Sequence, residues 1–151
     1  MEKLRLLSCA GLLAGVCLVA GALLQPRASA QMREPEPGEG VICALAIYAT
    51  VMEVGRRCYP EADAEIQGEL ARSVSRIDAY VLANTNGQVT QQQIDEFKRQ
   101  QGNFGASEEF LCHGDPDQMY QSVVAQGVAE LRRSTDELLS RPGEPTWGTC
   151  L

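Results

Sequence analysis

The sequence holds few residues of the kinds that do chemistry. Its 151 residues include one histidine, one tryptophan and 5% aromatic residues in all. No Cys-x-x-Cys pair occurs, which removes the usual thiolate framework of a zinc site or a thioredoxin-type redox centre. No segment alternates apolar and polar residues for long enough to be a strand. No heptad run, periodic glycine or internal repeat points to a fibrous or solenoid protein. Basic residues are also scarce: 13 Lys and Arg against 20 Asp and Glu give a net charge of −7. That balance argues against a nucleic-acid binder, because phosphate contacts require clustered Lys or Arg. What is present is apolar side chain, 44% of residues, enough for a folded core and too much for intrinsic disorder. The length suits one domain and is short for two.

The apolar residues are unevenly placed. Lys3 and Arg5 precede an uncharged run over residues 6–24, which closes at Pro26 and the small triplet Ala28-Ser29-Ala30. That order is the order of a secretory signal peptide over residues 1–30, with cleavage expected between Ala30 and Gln31. The alternative is a retained anchor, since 19 uncharged residues exceed the usual apolar core of such signals. Cleavage removes Cys9 and Cys17 and leaves 121 residues, with 10 basic and 19 acidic side chains, a net charge of −9 and four cysteines. Four cysteines in an exported chain of this size read as two disulfides. The expected location is periplasmic or secreted, with a bacterial envelope suggested by the alanine-rich leader, and no stable membrane insertion is expected after cleavage.

Residues 31–40, with Glu-Pro-Glu-Pro-Gly-Glu-Gly, read as an extended charged spacer. Residues 41–57 are apolar almost all round, so this helix must be central to a bundle or covered by another surface. Pro60 breaks the chain, and Glu61, Asp63 and Glu65 place negative charge in a first turn, where the helix dipole favours it. Ile66, Leu70, Val74, Ile77 and Val81 then form one stripe of an amphipathic helix. Asn84-Thr85-Asn86-Gly87 ends it with turn residues. Thr90 and Gln93 form a capping box for a third, shorter helix through Gln101, whose apolar face is Ile94 and Phe97. Residues 102–114 are expected as loop, with one helical turn around 107–112. Asp115-Pro116 is an N-cap followed by proline at the first helical position. The fourth helix is expected to run to about Ser140, with Tyr120, Val124, Val128, Leu131 and Leu138 as its main stripe. The predicted fold class is all-α: a small four-helix bundle, up-down-up-down, with two disulfides in a stapled domain over residues 41–151.

Length alone constrains the disulfides. In one continuous helix, the 15-residue step from Cys43 to Cys58 spans about 22 Å, against a limit of about 7 Å between bridged Cα atoms. An up-down-up-down path instead brings Cys58 to Cys112 at one end and Cys43 to Cys150 at the other. Those two pairs are the expected bridges.

One segment brings a histidine near carboxylates: Phe110-Leu111-Cys112-His113-Gly114-Asp115. It resembles the His-Asp core of secreted phospholipases A2, which are also helical and disulfide-bonded. The resemblance implies His113 as general base, with Asp115 or Asp117 orienting it or holding calcium. Here Gly114 separates His113 from Asp115, and no glycine-rich calcium loop precedes them. The competing reading makes Asp115 a helix cap and His113 a solvated loop residue. Cys112-His113 ends as a haem-attachment motif ends, but Glu109 stands where the first cysteine is needed. Residues 84–90 share the glycine of an EF-hand loop at Gly87, yet Leu82 and Gln93 occupy its two key carboxylate positions. The adjacent acids Asp95-Glu96, Glu108-Glu109 and Asp136-Glu137 do not face each other on a helix. Arg56-Arg57 and Arg132-Arg133 are candidate anion contacts, balanced by nearby acids, and Ser73, Ser75 and Ser122 have no nucleophile motif around them.

No catalytic residue, metal ligand or cofactor is therefore assigned from sequence. The expectation is an exported, non-enzymatic helical protein that binds another protein, as an inhibitor, immunity factor or assembly accessory. Its acidic exterior favours a basic partner. Two alternatives stand beside it. Small acid-stress periplasmic chaperones are similar in size, helical content and disulfide use, although their cysteine count is usually lower. The other alternative is a small secreted hydrolase centred on His113.

Overall fold

A computed structural model describes residues 34–102 and 107–148. Five helices follow one another, and there is no strand among the described residues: α1 Val41–Cys58, α2 Ala64–Asn84, α3 Gln91–Gly102, α4 Glu108–His113 and α5 Asp115–Leu138. Together they form an all-helical bundle. The leader expected over residues 1–30 lies outside the described residues.

The arrangement follows from α1. Val41, Ala44, Leu45, Tyr48, Val51 and Val54 are buried on one side, and so are Ala46 and Ala49 on another. A helix without a polar face must be covered on all sides, and α2, α3, α4 and α5 all pack on this one. The small residues allow close approach. The Thr50 hydroxyl donates to Ala46 O at 2.9 Å within α1 and lies 3.3 Å from Gln101 O of α3. α2 buries Ile66, Leu70, Val74, Ile77 and Val81, the stripe read from its sequence. α3 buries Ile94 and, at its C-terminal end, Gly102. Thr90 and Gln93 make the reciprocal capping box: Thr90 N donates to Gln93 Oε1 at 2.8 Å, and Gln93 N to Thr90 Oγ1 at 3.3 Å.

The two ends are closed differently. At the C-terminal end of α1, Cys58 and Cys112 are joined by a disulfide with their Cα atoms 5.5 Å apart. Beside it the rings of Tyr59 and Tyr120 stack at 4.8 Å. The Tyr59 hydroxyl donates to Asp117 Oδ1 at 2.7 Å, and the fully buried Tyr120 donates to Asp63 Oδ2 at 3.0 Å. Gly55 makes room for this stack, since a Cβ there would sit 2.9 Å from the Tyr120 ring. At the N-terminal end of α1 the C-terminal tail returns. Thr146 N donates to Gly38 O at 3.0 Å, and Ile42 N donates to Thr146 O at 3.2 Å. Trp147 then meets Phe97 of α3 in a T-shaped contact, with ring centroids 6.5 Å apart.

The helical turn expected around 107–112 is present as α4, capped by Ser107, whose side chain accepts from Phe110 N at 3.2 Å. Two local expectations are corrected. The N-cap of α5 is Gly114 rather than Asp115, with Pro116 buried in the first turn. α5 ends at Leu138 and is not continuous, because Gly127 has φ 82° and ψ 168°, which is not helical backbone. The break re-aims the buried face. Tyr120 and Val123 are buried before it, Leu131 and Thr135 after it, while Val124, Val128 and Leu138 are half-buried.

A backbone region open essentially only to glycine costs other residues on the order of 1–3 kcal/mol. A Cβ at Gly127 would meet no neighbouring atom, so backbone strain alone decides the effect of adding one. Gly127→Ala should therefore lower stability by about 1–3 kcal/mol in urea unfolding. A rise in stability would mean that α5 runs straight in solution and gains the helix propensity of alanine.

Candidate functional site

α3 is short and has a narrow apolar face, so it covers α1 incompletely. It reaches α2 mainly through polar side chains: Lys98 is ion-paired with the buried Asp78, and Gln91 Nε2 lies 3.5 Å from Asp78 Oδ2. Between the C-terminal half of α1, the first half of α2 and the C-terminal part of α3 lies an open cleft of about 1020 Å³. Ala49, Met52 and Val74 supply its apolar floor. Glu53, Arg56 and Arg57 line it from α1, and Asp95, Glu96, Lys98 and Arg99 from α3.

The charges on this rim are largely paired. Arg56 forks onto Glu53 at 2.6 and 2.9 Å, and Arg99 pairs with Glu96. Lys98 bridges Asp78 and Asp95, the latter at 3.1 Å. Burial works against the Lys98 ammonium, but its hydrogen bonds to Asp78 and Asp95 outweigh that and raise its pKa. The Asp95 carboxyl is held below its ordinary range by the Gln91 hydrogen bond and by Lys98. Arg57, exposed in the last turn of α1, makes no ion pair among the described residues. Arg56 and Arg57, equivalent as neighbours in sequence, are therefore distinct in the fold.

A second polar group fixes the far side of α2. Glu69 is only 3% exposed, and two arginines close over it: Arg132 of α5 at 2.7 and 3.3 Å, and Arg72 at 2.7 and 3.1 Å. Hydrogen bonds from Arg132 and Arg72 hold its carboxyl at about 2, well below the ordinary 4.5. One turn further along, Ser73 Oγ and Thr135 Oγ1 meet at 3.0 Å in the core, where Thr135 also bonds Leu131 O at 2.9 Å. Burial pushes the Tyr48 hydroxyl up, partly offset by the neighbouring Thr135 side chain. Burial and Asp63 push Tyr120 up to about 12.

The other sequence candidates separate. Of the four cysteines, Cys58 and Cys112 are brought together, Cys43 is disulfide-bonded, and Cys150 lies outside the described residues. His113 is exposed at the end of α4 and makes no hydrogen bond or ion pair among the described residues. Asp117 accepts from Tyr59 instead, and Asp115 is exposed. In the turn after α2, Asn86 and Gly87 have positive φ of 51° and 77°, and Gln93 is occupied in the capping box. Asp136 pairs with Arg76 at 2.7 Å and Glu137 with Arg133 at 2.6 Å, so these acids form a solvated, charge-balanced face. Among the described residues no group of three or more His, Cys, Asp or Glu could hold a metal ion, and no helix is long and apolar enough to cross a membrane.

Sequence reasoning missed Glu69. The available signal was a carboxylate inside the i, i+3, i+4 face of Ile66, Leu70 and Ser73, which requires a cation from elsewhere. Compared with known protein families, curated proteins and solved structures, the chain matches none.

Because the folded-state pKa of Glu69 is depressed, its contribution to stability is complete above about 4.5 and is lost as pH falls toward about 2. Glu69→Gln should be less stable than the parent at pH 7, and the gap should close over that acid window. Urea midpoints at pH 7, 4.5, 3.5 and 2.5 would check this; a gap that stays constant would remove Glu69 as the titrating clamp.

Proposed function

We propose that this protein is an exported, non-enzymatic helical module that binds another envelope or secreted protein, as an inhibitor, immunity factor or assembly accessory. The observation that carries this reading is the open cleft of about 1020 Å³ beside α1, with an apolar floor and a charged rim on a disulfide-tied frame. An apolar floor supplies the desolvation that drives association, while a paired polar rim supplies register. The reading includes a leader over residues 1–30 cleaved before Gln31, an up-down-up-down path for the four longer helices, and a second bridge between Cys43 and Cys150. It places the mature chain in the periplasm or outside the cell, where disulfides persist.

The test is a pull-down with the mature protein from envelope extract in oxidising buffer. We expect a stoichiometric partner whose retention falls when the disulfides are reduced. N-terminal sequencing of the exported protein should begin at Gln31. If no partner is retained and the protein instead suppresses aggregation of a model client only at low pH, the chaperone reading replaces this one. Hydrolysis lost in His113→Ala would favour the enzyme reading.

A further inference from the structure

We infer that the cleft between α1, α2 and α3 receives an acidic, apolar segment of the partner, with a carboxylate of that segment meeting Arg57. The inference rests on the protein-binding reading and names the partner's chemistry at the cleft. Over the whole chain acids outnumber bases by 20 to 13, whereas the four cations that line this cleft are matched by its three carboxylates and by Asp78 behind Lys98. Each of the three carboxylates is already engaged: Glu53 by Arg56, Asp95 by Lys98 and Glu96 by Arg99. A basic ligand would find each of those carboxylates already sharing its charge with a cation. An acidic ligand finds in Arg57 a guanidinium with no carboxylate on it, whereas every other Lys or Arg among the described residues is engaged by a carboxylate or a carbonyl.

The local charge governs the contact even though the protein as a whole is acidic. At physiological salt, charges are screened beyond about 8 Å, so a docked carboxylate responds to the rim it touches more than to the distant surface. The apolar part of the segment has its place as well. Met52 is half-buried on the floor beside Ala49 and Val74, and a methionine side chain adapts to the shape laid on it. The cleft lies at the upper end of the range of small-ligand pockets, roughly 1,000 Å³, and is open along one side, which leaves room for a length of chain.

The probes are two fluorescent helical peptides of about twelve residues, one of leucine and glutamate and one of leucine and lysine, titrated with the mature protein at physiological salt. The glutamate peptide should bind more tightly. Arg57→Ala should weaken it by up to about fivefold, the scale of one exposed ion pair, while Arg57→Lys, which keeps the charge, should weaken it less. Arg76→Ala removes the same charge from a pair with Asp136 outside the cleft, and should leave binding unchanged. Tighter binding of the lysine peptide, or equal weakening by Arg57→Ala and Arg76→Ala, would overturn the inference. A photo-crosslinker at Gln100, in the cleft, and another at the exposed Ser122 on α5 separate this from failure of the broader reading. In the pull-down, crosslinking from Ser122 alone overturns the cleft and keeps the partner. Absence of any partner overturns both.

Discussion

A helix that is apolar on every face cannot stand at a surface, and α1 is such a helix over most of its length. Its burial sets the positions of the other elements. α2 and α5 bring amphipathic stripes against it, α3 closes over its small residues, and the C-terminal tail returns to its first turn through Thr146. The composition of α1 changes where that cover ends. Up to Met52 it carries no charge, and Glu53, Arg56 and Arg57 then appear together on the stretch that α3 leaves open. The cleft is therefore part of the packing solution.

The interior is specified by polar contacts as well as by apolar area. Glu69, Ser73 and Thr135 tie α2 to α5, and Asp78 with Lys98 ties α2 to α3. Leucine and valine pack tolerably in several registers, whereas a buried carboxylate without its cation carries a large desolvation penalty. Each clamp therefore disfavours a slipped arrangement of its two helices more strongly than the surrounding methyl groups do. Asp78 shows the limit of this arrangement: one of its oxygens is buried without a hydrogen-bond partner among the described residues. Lys98 holds the other oxygen and balances its charge.

What could be read from sequence was whatever is local. The α2 stripe and the Thr90–Gln93 box depend on residues a few positions apart, and the helix length that excludes a Cys43–Cys58 bridge is local as well. The break in α5 was hidden because Tyr120, Val124, Val128 and Leu131 keep helical spacing across Gly127, and one glycine does not declare its φ. The fate of Asp117 was hidden because its partner, Tyr59, is 58 residues away. At the candidate site the Arg56-Arg57 pair was visible, but its asymmetry was not. Glu53, three residues before Arg56, takes that guanidinium and leaves its neighbour outward. The cleft has no sequence signature, since it is defined by where one helix stops covering another.

The disulfide bears on the geometry of the cleft. Cys58 directly follows Arg57, and its bond to Cys112 closes a loop of 54 residues. By loop entropy such a bridge is worth about 4 kcal/mol, much of it in restraint on the unfolded chain. In the folded state it also pins the last turn of α1, the part of a helix that otherwise frays first. The backbone that presents Arg57 is thus fixed by a bond that persists only in an oxidising environment. Reduction need not unfold the bundle to affect the cleft, because loosening the last turn of α1 would be enough to shift the backbone that carries Arg57.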